Sequence, residues 1–127
     1  MERLYKAKNR LGLVFFPAFD WAISPTHPER EERLLYTQDQ ILEEGLKDIE
    51  GIEEYRAYLA PDNEVERVHI CVPDVRSRVT EAHLVAAGGA IVAGRKVLEG
   101  EVDKAFALVR PPGHHAFRIV HGARGFC

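Results

Sequence analysis

Cysteine is scarce in this chain. Cys71 and Cys127 are the only two in 127 residues, too few and too far apart for a disulfide framework or a zinc knuckle. That scarcity makes a reducing, cytoplasmic location the expectation. Positive charge is not in excess either: 17 Lys and Arg against 20 Asp and Glu leave a net −3, which offers no basic footprint for nucleic acid. No apolar run approaches the roughly 18 residues of a membrane-spanning helix, and the first residues lack a signal-peptide hydrophobic region. A Gly-rich phosphate loop, a Ser nucleophile elbow, internal repeats and low-complexity tracts are also missing. What is present is an ordinary globular composition, 46% hydrophobic and 29% charged, with the size of one domain or part of one.

The order of elements points to an α/β chain. Leu11 to Phe16 is an apolar run stopped by Pro17, and it reads as a buried strand. A structured loop follows from Asp20 to Pro28. Proline opens helices and acids suit their first turn, so Pro28 with Glu29, Glu31 and Glu32 predicts a helix from about Glu29 to Glu44, ended near Gly45. Its charges read as a solvated face. Glu53 to Leu59 alternates like a second strand, and Pro61-Asp62 starts a short helix ending near His69. Ile70 to Ser77 is ambiguous. From Ser77 or Thr80 a strong helix runs to about Leu98, closed by Gly100. On a helical wheel Ala86, Ala90, Ala93 and Val97 share a face with Gly89 and Gly94, flanked by Leu84, Ile91 and Leu98. Lys104 to Val109 is a continuous apolar run, as in a strand covered on both faces.

Two consequences follow from that order. Glycine inside a helix costs up to about 1 kcal/mol relative to alanine, so Gly88 and Gly89 need a reason, and close approach to a sheet supplies one. Strand, helix and strand in succession make crossovers of a parallel sheet, whose ligands gather beyond the carboxyl ends of the strands. The Asp20 to Pro28 loop and the Arg110 to His115 segment both leave strands at that edge, so they should meet in space.

The Arg110 to His115 segment carries the most chemistry. Pro111 and Pro112 lock their own φ and push the preceding residue away from helix, so the backbone leaves its strand on a stiff path. Gly113 can take backbone angles that other residues resist. Neighbouring side chains in extended backbone point opposite ways, which gives His114 and His115 separate tasks. Imidazole titrates near neutrality and suits proton transfer; a hydrogen-bonded structural pair is the alternative use of the same residues. Two histidines alone make a poor zinc site, since zinc takes three or four convergent ligands. His27, His69, His83 and His121 add no ligand spacing to the pair.

Arg110-Pro-Pro-Gly-His-His-Ala116, followed by Gly125-Phe-Cys127, resembles the signature of the histone deacetylase family, the zinc-dependent acyl-lysine and acyl-polyamine amidohydrolases. His27-Pro-Glu-Arg30 with Arg33-Leu34 resembles that family's early His-Pro-Glu-Arg motif, with Glu31 where many members have proline. Ala86-Ala-Gly-Gly-Ala90 and Ala105 to Val109 match as well. The resemblance implies a three-layer αβα parallel sheet of the arginase/deacetylase type, of which residues 1–127 are an incomplete amino-terminal portion. It implies that His115 is the general base and then acid of a zinc-bound water, with His114 tuning transition-state charge. Gly125 and Phe126 would line the acyl-chain tunnel, and Arg33 would lie near an internal cavity behind the metal. The family's Asp and His metal ligands and its carbonyl-polarising tyrosine lie downstream of Gly-Phe-Cys. Zinc is thus the cofactor of the complete domain, this chain alone is expected to bind none, and in isolation it is expected to be inactive. Acylated lysine or polyamine is the implied partner, with neither nucleic acid nor membrane. A non-catalytic module that self-associates, or pairs with a second polypeptide such as the missing carboxyl-terminal part, is the alternative.

Overall fold

The computed structural model describes residues 5–16, 24–70, 78–114, 116 and 118. Its frame is a parallel sheet of three strands, β1 (Lys6–Phe15), β2 (Glu50–Arg56) and β3 (Lys104–Leu108), in the order β2-β1-β3. Between the first two strands lie helix α1 (Glu32–Glu43) and a 3-10 turn (Leu46–Asp48). Between the last two lie α2 (Asp62–Glu66) and the long α3 (Arg78–Leu98). The expected alternation of strands and helices is therefore present, and the fold is α/β with a parallel sheet.

Register assigns the faces. Leu11 to Phe15 of β1 pair in sequence with Ile52 to Arg56 of β2 and with Lys104 to Leu108 of β3. Side chains alternate across a strand, so Gly12 and Val14 share a face with Ala105 and Ala107. α3 packs on that face. Val14, Ala57, Val85 and Val92 form its buried centre, with Phe16, Tyr55, Ala107 and Val109 around them. A second cluster of Ala60, Val65 and Leu84 joins α2 to the same helix. On the other face Leu11, Leu13 and Phe15 sit in register with Lys104, Phe106 and Leu108, and Phe106 stays 53% exposed.

Several expected boundaries shift, each for a local reason. β1 starts at Lys6, five residues early, because its polar first half reaches past β3 and pairs with β2 only at Glu50, across a register irregularity. β2 occupies Glu50–Arg56 rather than Glu53 to Leu59. Past Ala57 the chain leaves the ladder to cross α3, where the Ala60 amide donates to the Leu84 carbonyl at 2.9 Å. α1 begins at Glu32, not Glu29, with Glu31 at its cap and no side chain capping it. Gly45 ends that region in the left-handed conformation (φ 69°), which glycine adopts without steric penalty.

The face of α3 also differs from the wheel. Its buried side chains are Ala82, His83, Leu84, Val85, Ala86 and Val92, whereas Ala90 is exposed and Leu98 is 88% exposed. Within the last turn Leu98 faces solvent while Lys96 lies over the Tyr55 ring, 5.0 Å from its centre. The glycines sit where the approach is closest. A Cβ on Gly88 would overlap the Tyr58 carbonyl oxygen, and one on Gly89 would come 2.6 Å from Val109 Cγ1. The reason expected for both glycines is thus the observed one. At the opposite edge Arg10 and Asp103 pair at 3.1 Å and tie the start of β3 to β1, an exposed contact worth little.

A Cβ on Gly94 would meet nothing within 4 Å, which sets up a contrast. Gly88→Ala is expected to destabilise by about 1–3 kcal/mol through overpacking, while Gly94→Ala should stabilise by up to about 1 kcal/mol through helix propensity. Urea denaturation of the two variants measures both signs.

Candidate active site

Arg110 follows β3 after one intervening residue, Val109, at the carboxyl edge of the sheet. Strand order reverses between β1 and β3, and in open parallel sheets that reversal marks the ligand crevice. A charged guanidinium withdrawn from water needs a carboxylate, and Glu29 supplies it. Arg110 Nη2 lies 2.7 Å from Glu29 Oε2 and its Nε 2.9 Å from Oε1. The two side chains are 2% and 10% exposed. The fork is bidentate, the strongest form of such contacts. Arg110 of the predicted segment thus meets Glu29, the residue that follows the Asp20 to Pro28 loop, 81 positions away in sequence.

The Glu29 side is built from local turns. The Glu29 amide donates to His27 Nδ1 at 3.0 Å. Arg30 donates to the Pro25 carbonyl at 2.7 Å and forks onto Glu32, at 3.2 Å from each carboxylate oxygen. That fork holds the Glu32 carboxyl below its ordinary pKa. Arg33, placed by resemblance near an internal cavity, lies with its side chain 59% exposed and its Nη1 3.4 Å from Glu29 Oε1.

On the other side of the pair stands His83 of α3, itself buried. Its Nδ1–H donates to the Val79 carbonyl at 2.8 Å. Burial pushes its pKa below the usual value; the Val79 hydrogen bond and Glu29 act the other way, and Arg110 adds to the lowering.

Beyond Arg110 the chain runs through Pro111 and Pro112 into a tight turn, closed by the Ala116 amide donating to the Gly113 carbonyl at 2.9 Å. His114 rides on this turn, exposed. Two expectations change here. The backbone turns at His114 instead of running extended, and Gly113 does not use a positive φ; among the described residues only Gly45, Gly51 and Gly100 do. The prolines and the turn redirect the chain without that freedom. Beside Gly113 and Ala116 opens a cleft of about 510 Å³, walled by Val65, Val68, His69 and Ile91. His115, Gly125, Phe126, Cys127, Cys71 and the loop at 17–23 lie outside the described residues.

Sequence reasoning gave Glu29 no role beyond its place in the His27-Pro-Glu-Arg30 motif, and gave His83 none. Glu29 reads as one acid among several at a helix start, and one of 20 acidic residues must find Arg110 in three dimensions. The signals that were available are the His27-Pro-Glu-Arg30 motif, which contains Glu29, and Arg110, placed between an apolar strand and two prolines. No helix among the described residues is long and apolar enough to cross a membrane.

Comparison with known proteins gives this arrangement its context. Residues 73–127 match the histone deacetylase domain family. A protein of Archaeoglobus fulgidus described as a probable deacetylase is 41% identical over 135 residues, covering 91% of this chain and 37% of its own length. Histone deacetylase 5 of Arabidopsis thaliana is 52% identical over 48 residues, 38% of this chain and 7% of that protein. The crystal structure of the HDA15 HD domain superposes with a TM-score of 0.71 at 25% identity, covering 92% of this chain and 39% of that one. The chain thus spans well under half the length of these relatives.

Two measurable consequences attach to this cluster. Arg110→Ala leaves Glu29 buried without its main partner and should lower stability by about 3–5 kcal/mol, as read by urea denaturation. His83 is harder to protonate folded than unfolded, so the unfolded chain takes up the extra proton as pH falls. Its contribution is fully present above the ordinary histidine value of 6.5 and is lost as pH drops below it. Midpoints measured from pH 7.5 downward should show this slope, and His83→Gln should flatten it.

Through a braced histidine turn at the carboxyl edge of a parallel sheet, and through its likeness to deacetylases over nine-tenths of its length, the chain belongs to the histone deacetylase family.

Proposed function

We propose that the domain to which this chain contributes hydrolyses acyl amides of the acetyl-lysine or acetyl-polyamine kind. The observation that carries this reading is the Glu29–Arg110 pair, which joins both motif segments at the strand ends. In this reading His115 takes a proton from the attacking water and returns it to the leaving amine. His114 stabilises charge as it develops, and Gly125 and Phe126 line the acyl channel. General acid–base catalysis of this kind contributes about 10²–10⁴-fold.

Zinc is the cofactor this reading implies. Among the described residues no three His, Cys, Asp or Glu side chains converge to hold a metal ion, and the Glu29 carboxylate is already engaged by Arg110. The resemblance puts the donors of such a centre downstream of Gly125-Phe-Cys127. A water free of metal keeps a pKa of about 15.7, out of reach of an imidazole base. The 127 residues alone are thus proposed to be inactive, in a cytoplasmic protein.

The second reading, association with another copy or a second polypeptide, is favoured by β3. Among the described residues it is an edge strand of the three-stranded sheet, and its Phe106 is 53% exposed. Unpaired edges and apolar surface promote pairing. A chain that runs as a monomer on sizing at all concentrations would remove this reading.

The catalytic reading is tested by assaying acetyl-lysine peptide and acetyl-polyamine in the presence of zinc. The isolated chain is expected to show no turnover. The natural polypeptide that contains it is expected to turn over one of them and to lose about 10²-fold or more on His115→Ala. Turnover indifferent to His115→Ala would sink the assignment.

A further inference from the structure

We propose that Glu29 is a positioning residue for the histidine turn, acting through Arg110. The kinetic part of this inference rests on the deacetylase reading; the structural part does not.

A buried ion pair by itself is weak evidence for stability, because well-packed apolar residues of similar volume often do as well or better. What a bidentate fork supplies is direction. Two parallel contacts, at 2.9 and 2.7 Å, set the rotation of the guanidinium plane as well as its distance. Arg110 adjoins Pro111 and Pro112, whose φ angles are locked. Few free torsions then separate Arg110 from Gly113, where the turn closed at 2.9 Å by Ala116 begins. A displacement of Arg110 is passed along to His114 rather than absorbed on the way.

Glu29 is in turn fixed from its own side. Its amide is held by His27 Nδ1 at 3.0 Å, and Arg33 one helical turn on meets Oε1 at 3.4 Å. Buried His83 of α3 also senses both charges of the pair. The His27-Pro-Glu-Arg30 motif and the Arg110 to Ala116 motif thereby act as one device. The first is the anchor and the second carries the imidazoles.

The test uses Glu29→Gln, which keeps the shape and removes the charge, with nuclear magnetic resonance of the isotope-labelled chain. The His114 ring resonances and the Gly113 and Ala116 amide resonances are expected to move, while those of Lys104 to Ala107 hold. Glu29→Asp should bring the moved resonances part of the way back. A folded Glu29→Gln chain whose turn resonances stay in place, with only its melting temperature lowered, overturns the proposal. If that variant does not fold, the exchanged pair Glu29→Arg with Arg110→Glu decides. A folded exchange with native turn resonances supports positioning, and one that is unfolded or has a displaced turn counts against it.

In the natural polypeptide containing this chain, Glu29→Gln should lower kcat by on the order of 10- to 100-fold with KM unchanged, since small misplacements of a catalytic group have effects of that size. A raised KM at unchanged kcat would refute positioning. Absence of turnover in the unsubstituted polypeptide would sink the deacetylase reading and leave the resonance outcome standing.

Discussion

One buried fork of charge organises this molecule. Arg110 is held between an apolar strand and two prolines, so its backbone cannot swing the guanidinium out to water. Burying that charge alone is prohibitive, and Glu29 relieves it with two short contacts. The consequence is topological as well as energetic. The segment that leads into α1 and the segment that follows β3 are 81 positions apart, yet neither can move without the other. The edge of the sheet at which the strands end is thereby given a fixed shape.

The sheet beneath is made possible by an equally local constraint. α3 approaches the departing end of β2 so closely that the Ala60 amide bonds to a carbonyl inside the helix. Only residues without a Cβ fit at that crossing, and Gly88 and Gly89 stand there. The closeness brings Val85 and Val92 onto Val14 and Ala57 and draws His83 toward the ion pair. A helix of the same length without those glycines would stand farther off, and the polar cluster would lose one of its walls.

Much of this was legible in the residues. Strand, helix and glycine placement along the chain were readable because hydrophobic period and turn chemistry are local properties. Leu11 to Phe15, Arg78–Leu98 and Lys104–Leu108 fall close to where apolar runs and Gly100 put them. Boundaries slipped where tertiary contacts took over. Glu50 to Ile52 joined the sheet where β1 extended alongside them, and Glu29 to Glu31 fell outside α1, with Glu29 held by Arg110. The histidine turn was foreseen as a stiff segment, but its bend at Gly113 to Ala116 depends on a hydrogen bond that sequence does not display.

What the amino-acid order settled without help is the family and the kind of sheet, since the motif Arg110 to Ala116 and the spacing of apolar runs depend only on neighbours along the chain. Which acid neutralises Arg110, which face of α3 turns inward and how His83 comes to be buried were decided in three dimensions. Those outcomes require residues far apart in sequence to compete for one small desolvated volume, and only packing determines which of them wins.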